Sequence, residues 1–411
     1  MSKFSKNRLW TPSFSILWQS QLVSTVGDAV YSIALGFWVL AVTGSTALMG
    51  TLMAASTLPG VLIAPLAGVI IDNSSKKRLF ILLDILRGIC IVLLAAAAYH
   101  GELAIWMVFV TGILLSICGA IFNPGVQATI PEIVPKAKIS NALSVFSILS
   151  SGSNMVGNVA GGFLFQALGA PALFLFDGLS FLFSGTSIAF VKIPENKKKD
   201  KIHFFKDMSE GFLYMWKQKG LRIILMLAAM CNFFSFIGIV LFLPYCKYTP
   251  SMGAGKYGIL LSTYMGGAAA GFLLLSILTI KSQNKLKLFI VSSIISNLCM
   301  IFAFNQPSFI IMSILIVLAG FFNSLFNVLL ISTIQASTSQ EVRGKVMSFL
   351  NMITQGLTPF AMALGGVLGG IYPIRLVITA AFLAVFIISI PSYFSKSFKE
   401  YINSDYSENN T

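Results

Sequence analysis

Charge is what this chain has least of. Charged side chains make up 10% of its 411 residues while hydrophobic ones make up 56%, and the mean hydropathy of +0.85 is more than one water-soluble core can hide. Acid is scarcer than base, with 14 Asp and Glu against 28 Lys and Arg. Two histidines, His100 and His203, and five cysteines, Cys90, Cys118, Cys231, Cys246 and Cys299, are scattered without metal-ligand spacing, so neither a zinc centre nor a disulfide framework is expected. The cysteines read as small apolar packing residues. Ser/His/Asp sets, paired carboxylates and phosphate-binding glycine loops are also missing, which argues against an enzyme, a metal and a bound cofactor.

What is present is a succession of apolar runs of about 20 residues, each long enough to cross roughly 30 Å of hydrocarbon as a helix. Twelve are expected: 14–42, 47–71, 79–99, 103–129, 139–168, 172–192, 221–246, 256–280, 286–304, 308–334, 346–372 and 375–394. The fold class is therefore an all-α membrane protein, and the first run is too long for a removable signal peptide. A net charge of +14 could suggest nucleic acid as partner, but its distribution follows the membrane instead. Three basic residues (Lys247, Lys256, Arg375) fall in loops of one parity, Arg87 falls in a span, and the remaining 24 lie on the other side. By the positive-inside rule both termini are cytoplasmic and the bilayer, not nucleic acid, is the partner. Hydrophobicity has one long interruption, which divides the chain into a first bundle (1–193), a central cytoplasmic loop (194–220), a second bundle (221–395) and a tail (396–411). Within the loop, Phe204 to Trp216 reads as an amphipathic helix, with Phe205, Met208, Phe212 and Met215 as its apolar residues, suited to lie on the anionic inner leaflet.

Charge inside a span is informative because it normally faces the bundle interior or a water-filled cavity. Asp28 lies in the first span among Gln19, Gln21, Ser24 and Gly27. The third span holds Asp84 and Arg87 at i, i+3, on one helix face, about 8 and 12 Å from its cytoplasmic edge at 1.5 Å per residue. Asp28 is expected at a similar depth, so the three could form one cluster in which two carboxylates share one guanidinium and one carries a transferable proton. The bland reading is that Asp28 pairs with Arg87 and only ties helices together. Asp177, in the sixth span, is a second candidate for proton exchange or a bundle hydrogen bond. Gly152, Gly157, Gly161 and Gly162 in the fifth span suit close helix approach.

Between the second and third spans the sequence runs Gly68-Val-Ile-Ile-Asp72-Asn-Ser-Ser-Lys76-Lys77-Arg78. This resembles the Gly-x-x-x-Asp-Arg-x-Gly-Arg/Lys-Arg/Lys loop of the major facilitator superfamily, with Asn73 and Ser75 departing from the pattern. Gly157-Asn158-Val-Ala-Gly161-Gly162 resembles the antiporter motif Gly-Pro-x-x-Gly-Gly, with Asn158 in place of Pro. The halves also correspond at an offset of 204: Phe122-Asn123 with Phe326-Asn327, Thr129-Ile130 with Thr333-Ile334, Ser144 with Ser348, and Gly161-Gly162 with Gly365-Gly366. Val26-Gly27-Asp28, Asp84-Ile-Leu-Arg87, Phe176-Asp177-Gly178-Leu179-Ser180-Phe181 and Glu210-Gly211 are similar to the branch containing macrolide-efflux permeases and siderophore exporters.

The resemblance implies two six-helix bundles in parallel repeat around a cavity lined by spans one, four, seven and ten. It places Asp28, Tyr31, Asn123, Asn232, Phe233, Phe236, Asn323 and Asn327 as substrate-site candidates. It makes Asp28, Asp84, Arg87 and Asp177 candidates for proton coupling, since the second-half spans hold no Asp or Glu. It also makes Gly68, Asp72, Lys76, Lys77 and Arg343 a cytoplasmic gate, with Asp72 favoured near a helix N-terminus. The implied activity is export of a drug, siderophore or other amphiphilic or cationic metabolite by a monomer in the cell membrane, driven by the proton gradient with no cofactor. A flippase for a lysophospholipid-like amphiphile, a small-solute facilitator and a non-transporting sensor are the alternatives.

Overall fold

The computed structural model describes residues 9–194, 216, 218–278, 280, 282–336, 338, 340–394 and 399. Apart from Trp216, the central amphipathic segment lies outside these residues, as do Glu210, Gly211, His203 and Lys281. So do the first eight residues and all but Lys399 of the tail.

Regular structure among the described residues is helical throughout. In order the helices are α1 (Pro12–Thr43), α2 (Thr46–Ala55), α3 (Leu58–Asn73), α4 (Lys76–Tyr99), α5 (Ile105–Ile133), α6 (Ile139–Ile188), α7 (Lys219–Val240), α8 (Phe242–Tyr248), α9 (Ala254–Ile277), α10 (Ser282–Ala303), α11 (Phe309–Ala336), α12 (Gln340–Ile371) and α13 (Ile374–Phe394). Among the described residues ten helical stretches are long and apolar enough to cross a membrane, and Ile374–Ile390 is a shorter apolar one. Large apolar side chains stand exposed along them, among them Leu62, Leu93, Trp106, Ile148 and Ile310 at 63–71%. Water would not tolerate such a belt without association, whereas lipid solvates it. The chain is a multi-pass membrane protein.

Runs five and six are two helices that meet within α6 at Gly169, whose φ of 74° and ψ of 179° are not helical; a residue with a Cβ would be strained there. Run two divides into α2 and α3 at a turn just before Pro59, whose ring suits the first turn of a new helix. The first helix begins as its sequence suggests: Thr11 Oγ1 accepts from Phe14 N at 3.2 Å and Pro12 takes the first helical position.

Two compact units result, and the division does not fall only at the central loop. The first comprises 9–45, 55–194 and Cys246–Ile259; the second comprises Thr46–Ala54, 216–245 and 260–394. Specific contacts accompany both exchanges. In the second unit a methyl built on Gly50 would come within 2.6 Å of Met362 O, and Thr46 Oγ1 donates to Gly366 O at 2.9 Å. In the first, Tyr248 donates to Gly44 O at 3.0 Å and Tyr257 meets Phe37 edge-on at 5.7 Å. Loop polarity alone gives no sign of such exchanges, because they depend on which backbones can touch.

The first unit has its core where α3, α4 and α5 meet, around Ile71, Phe80, Leu83, Ile121, Phe122 and Val126. The second packs Leu221, Ile224, Phe289, Phe326, Leu329 and Ile334. Four of the five cysteines are buried and Cys90 is half-buried; all five are free thiols.

Candidate functional site

The position of α1 is set by glycine. A methyl at Gly157 would stand 2.7 Å from Ala29 Cβ, and one at Gly161 would stand 3.0 Å from Val30 Cα. Only the absence of a side chain lets α6 come this close to α1. Asn158, in the place of proline, lies inside an unbroken helical turn.

This contact sorts the residues around Asp28 onto two faces. Gly27, Ala29, Val30 and Tyr31 are buried against α6, while Asp28 is exposed, as is Ser32 one turn on. Asp28 lies sixteen residues after Pro12 and fifteen before Thr43, so the only carboxylate of α1 sits at the middle of a helix roughly 48 Å long. It has no hydrogen bond or ion pair among the described residues.

Arg87 does not pair with Asp28. Its guanidinium is bonded to Asp84 one turn earlier, and its Nε donates to Leu83 O at 3.4 Å. Phe122 of α5 and Phe181 of α6 lie 4.4 and 4.3 Å from the guanidinium carbon, one ring from each helix. Asp84 is fully buried and its second oxygen accepts from Ser184 Oγ at 2.7 Å. A buried charge needs such an enclosure of partners, and this one is complete without Asp28. The expectation that two carboxylates share Arg87 is thus corrected: i, i+3 geometry gives the bond to Asp84, and Asp28 is left facing outward within electrostatic reach of both.

Asp177 is fully buried behind α1. Its Oδ1 accepts from Ser180 Oγ at 3.3 Å, while Oδ2 has no partner. A methyl on Gly27 would lie 2.5 Å from both Asp177 Oδ1 and Ser180 Oγ, so a larger residue before Asp28 would displace these side chains. Tyr31 packs its ring on Phe174 at 5.3 Å, and its hydroxyl is buried without a partner. Both carboxylates, Asp28 and Asp177, lie within electrostatic reach of that hydroxyl. Asp28, Tyr31 and Asp177 thus join the first-unit site, with Asp84 and Arg87 beneath it. Asn123 is exposed on α5, as is Gln127 one turn further, which the sequence reading passed over.

At the loop between α3 and α4, Lys76 is buried and bonds Glu132 of α5 at 2.6 Å. This residue of the expected gate is held there because α4 starts at Lys76 and directs it towards the end of α5. A methyl at Gly68 would meet nothing within 4 Å, and Asp72 is half-buried. Arg343 donates to Thr338 O at 3.2 Å; the side chain of Glu341 lies outside the described residues.

The second unit contains a cavity of about 400 Å³. Four of the eight expected substrate residues line it: Asn232, Phe236, Asn323 and Asn327. Phe233 does not line it and instead meets Phe234 edge-on at 5.5 Å. The lining also includes Tyr264, Ser293, Ser296, Asn297, Asn351 and Thr354, which the resemblance does not point to because they lie outside spans one, four, seven and ten. Ser293, Ser296 and Asn297 were legible in another way, as a polar stripe at i, i+3, i+4 in an otherwise apolar run.

A family model described as transmembrane secretion effector matches residues 5–401. Among curated relatives, macrolide efflux protein A of Streptococcus pyogenes is 26% identical over 229 residues, 54% of this chain and 56% of that protein. The chain thus spans little more than half the length of that relative. The multidrug efflux pump Tap of Mycobacterium tuberculosis is 23% identical over 368 residues, 86% of each chain. Solved structures share the fold at low identity. A bacterial homologue of the human lysosomal transporter Spinster, inward-facing and unoccupied, has TM-score 0.72 at 15% identity and covers 96% of this chain and 98% of its own. A bacterial homologue of the iron transporter ferroportin has TM-score 0.72 at 14% identity, covering 98% and 100%. With glycine-packed spans, carboxylates in the bilayer and a family match over nearly the whole length, this chain belongs to the transmembrane secretion effector family of major facilitator transporters.

Proposed function

We propose that the protein exports an amphiphilic or cationic compound, such as a drug, siderophore or other secondary metabolite, by alternating access coupled to inward proton flow. In this reading twelve spans form two six-helix bundles in parallel repeat, the protein is a monomer in a bacterial plasma membrane, and both termini are cytoplasmic. The observation that carries the proposal is Asp28: a carboxylate exposed at mid-helix, without a counter-ion partner, beside a buried and already satisfied Arg87–Asp84 pair. A carboxylate so placed can exchange a proton or meet a cation, whereas one locked to arginine can do neither. The names of the efflux relatives support the direction of transport.

The test is accumulation of a panel of dyes and macrolides in energised cells expressing the protein, its Asp28→Asn variant, or the protein with an uncoupler. Lower accumulation that both the substitution and the uncoupler abolish is the expected outcome. Export that continues unchanged in Asp28→Asn refutes a coupling role for Asp28.

A further inference from the structure

The second unit's cavity differs in chemistry from the carboxylate cluster of the first. Among the described residues no Asp, Glu, Lys, Arg or His lines it; its polar groups are amides and hydroxyls on α7, α9, α10, α11 and α12. Several of these are arranged so that one hydrogen-bonding function is occupied and another is left over. Asn327 Nδ2 donates to Asn323 Oδ1 at 2.8 Å, which leaves Asn327 Oδ1 as an acceptor and Asn323 Nδ2 as a donor. Asn297 Nδ2 donates to Ser293 O at 2.8 Å, leaving its Oδ1. Asn232 Oδ1 accepts from Thr358 Oγ1 at 3.2 Å, leaving its Nδ2. The Asn351 side-chain amide and the Tyr264 hydroxyl make no hydrogen bond among the described residues, so each offers both functions.

The cavity thus presents donors and acceptors in mixture, between apolar walls such as Phe236, Met300 and Phe382. An ion placed there would lose its hydration without a counter-charge. A group that both donates and accepts at several points, and carries no charge, matches the lining. About 400 Å³ lies within the range of small-molecule sites. From this we infer that the cavity is a binding site for an uncharged, hydroxyl-rich group such as a glycosyl unit, borne on an amphiphile. The inference rests on the transport reading for its role in substrate choice; the binding itself does not.

The experiment uses the full-length protein in lipid nanodiscs with no gradient, and radiolabelled octyl β-D-glucoside as probe, counted against empty nanodiscs. Saturable binding is expected. Asn297→Leu and Asn351→Leu should each weaken it by roughly tenfold, the effect of one lost hydrogen bond of about 1.4 kcal/mol. Octyl maltoside should compete, and octyltrimethylammonium, with the same tail and a charged head lacking hydroxyls, should not. The Asn351 side chain has no bond among the described residues to lose, so its variant keeps the test open if Asn297→Leu fails to fold. Absence of saturable binding, unchanged binding in Asn351→Leu, or equal competition by octyltrimethylammonium overturns the inference. None of these outcomes bears on whether Asp28 couples protons, and an inert Asp28→Asn phenotype leaves the glycoside result standing.

Discussion

Removing Arg87 tests whether the Asp84–Arg87 pair is the structural anchor of the first unit. In Arg87→Met the volume is nearly kept but Asp84, fully buried, keeps only the Ser184 hydroxyl as partner. Breaking a buried pair from one side typically costs about 3–5 kcal/mol. Loss of the two aromatic faces at 4.4 and 4.3 Å adds roughly 0.5–2 kcal/mol each where desolvated. Protonation of the stranded carboxylate offsets part of the first term, so a net loss of about 3–6 kcal/mol is expected. Asp84→Leu should cost a similar amount by stranding the guanidinium. The double variant Asp84→Leu/Arg87→Met removes both charges and should be more stable than either single one, a coupling of at least about 2 kcal/mol. The assay is equilibrium unfolding in mixed micelles followed by thiol labelling, for which the four buried free cysteines provide the signal. Additive losses in the double variant, or an Arg87→Met protein as stable as the parent, would refute the assignment.

Other substitutions follow from the same geometry and can be read in the same unfolding assay. Gly27→Ala forces a methyl to 2.5 Å from Asp177 Oδ1 and Ser180 Oγ and should cost about 1–3 kcal/mol, whereas Ala29→Gly should be much milder. Tyr31→Phe removes a buried hydroxyl that has no partner and should be neutral or stabilising by up to about 1 kcal/mol; a loss above that would mean the hydroxyl is bonded in the membrane. Glu132→Gln breaks the pair with Lys76, whose partner is 22% exposed, so the loss should be about 1–2 kcal/mol, between exposed and buried pairs, and salt should change it little.

Asp84 and Arg87 were readable as a pair because i, i+3 neighbours on a helix share a face whatever surrounds them. The spans were readable because hydrocarbon demands long apolar helices. Membrane class, the family's loop and glycine motifs, and the concentration of acid in the first half were likewise set by residue type and spacing alone. The partner of Asp28 was not, because pairing between helices depends on rotation about each axis, and that was fixed by Gly157 and Gly161 meeting Ala29 and Val30. Nor was the capture of Lys76 by Glu132, fifty-six residues away. The amide cavity lay partly hidden for the same reason. Asn297 belongs to a polar stripe and Asn351 looks isolated in sequence, and only the packing of α10 and α12 beside α7 and α11 turns them towards one space. The sequence determined which groups the bilayer must accommodate; the tertiary structure decided which of them meet, because distances between helices are set by side-chain volumes at their contacts and not by position along the chain.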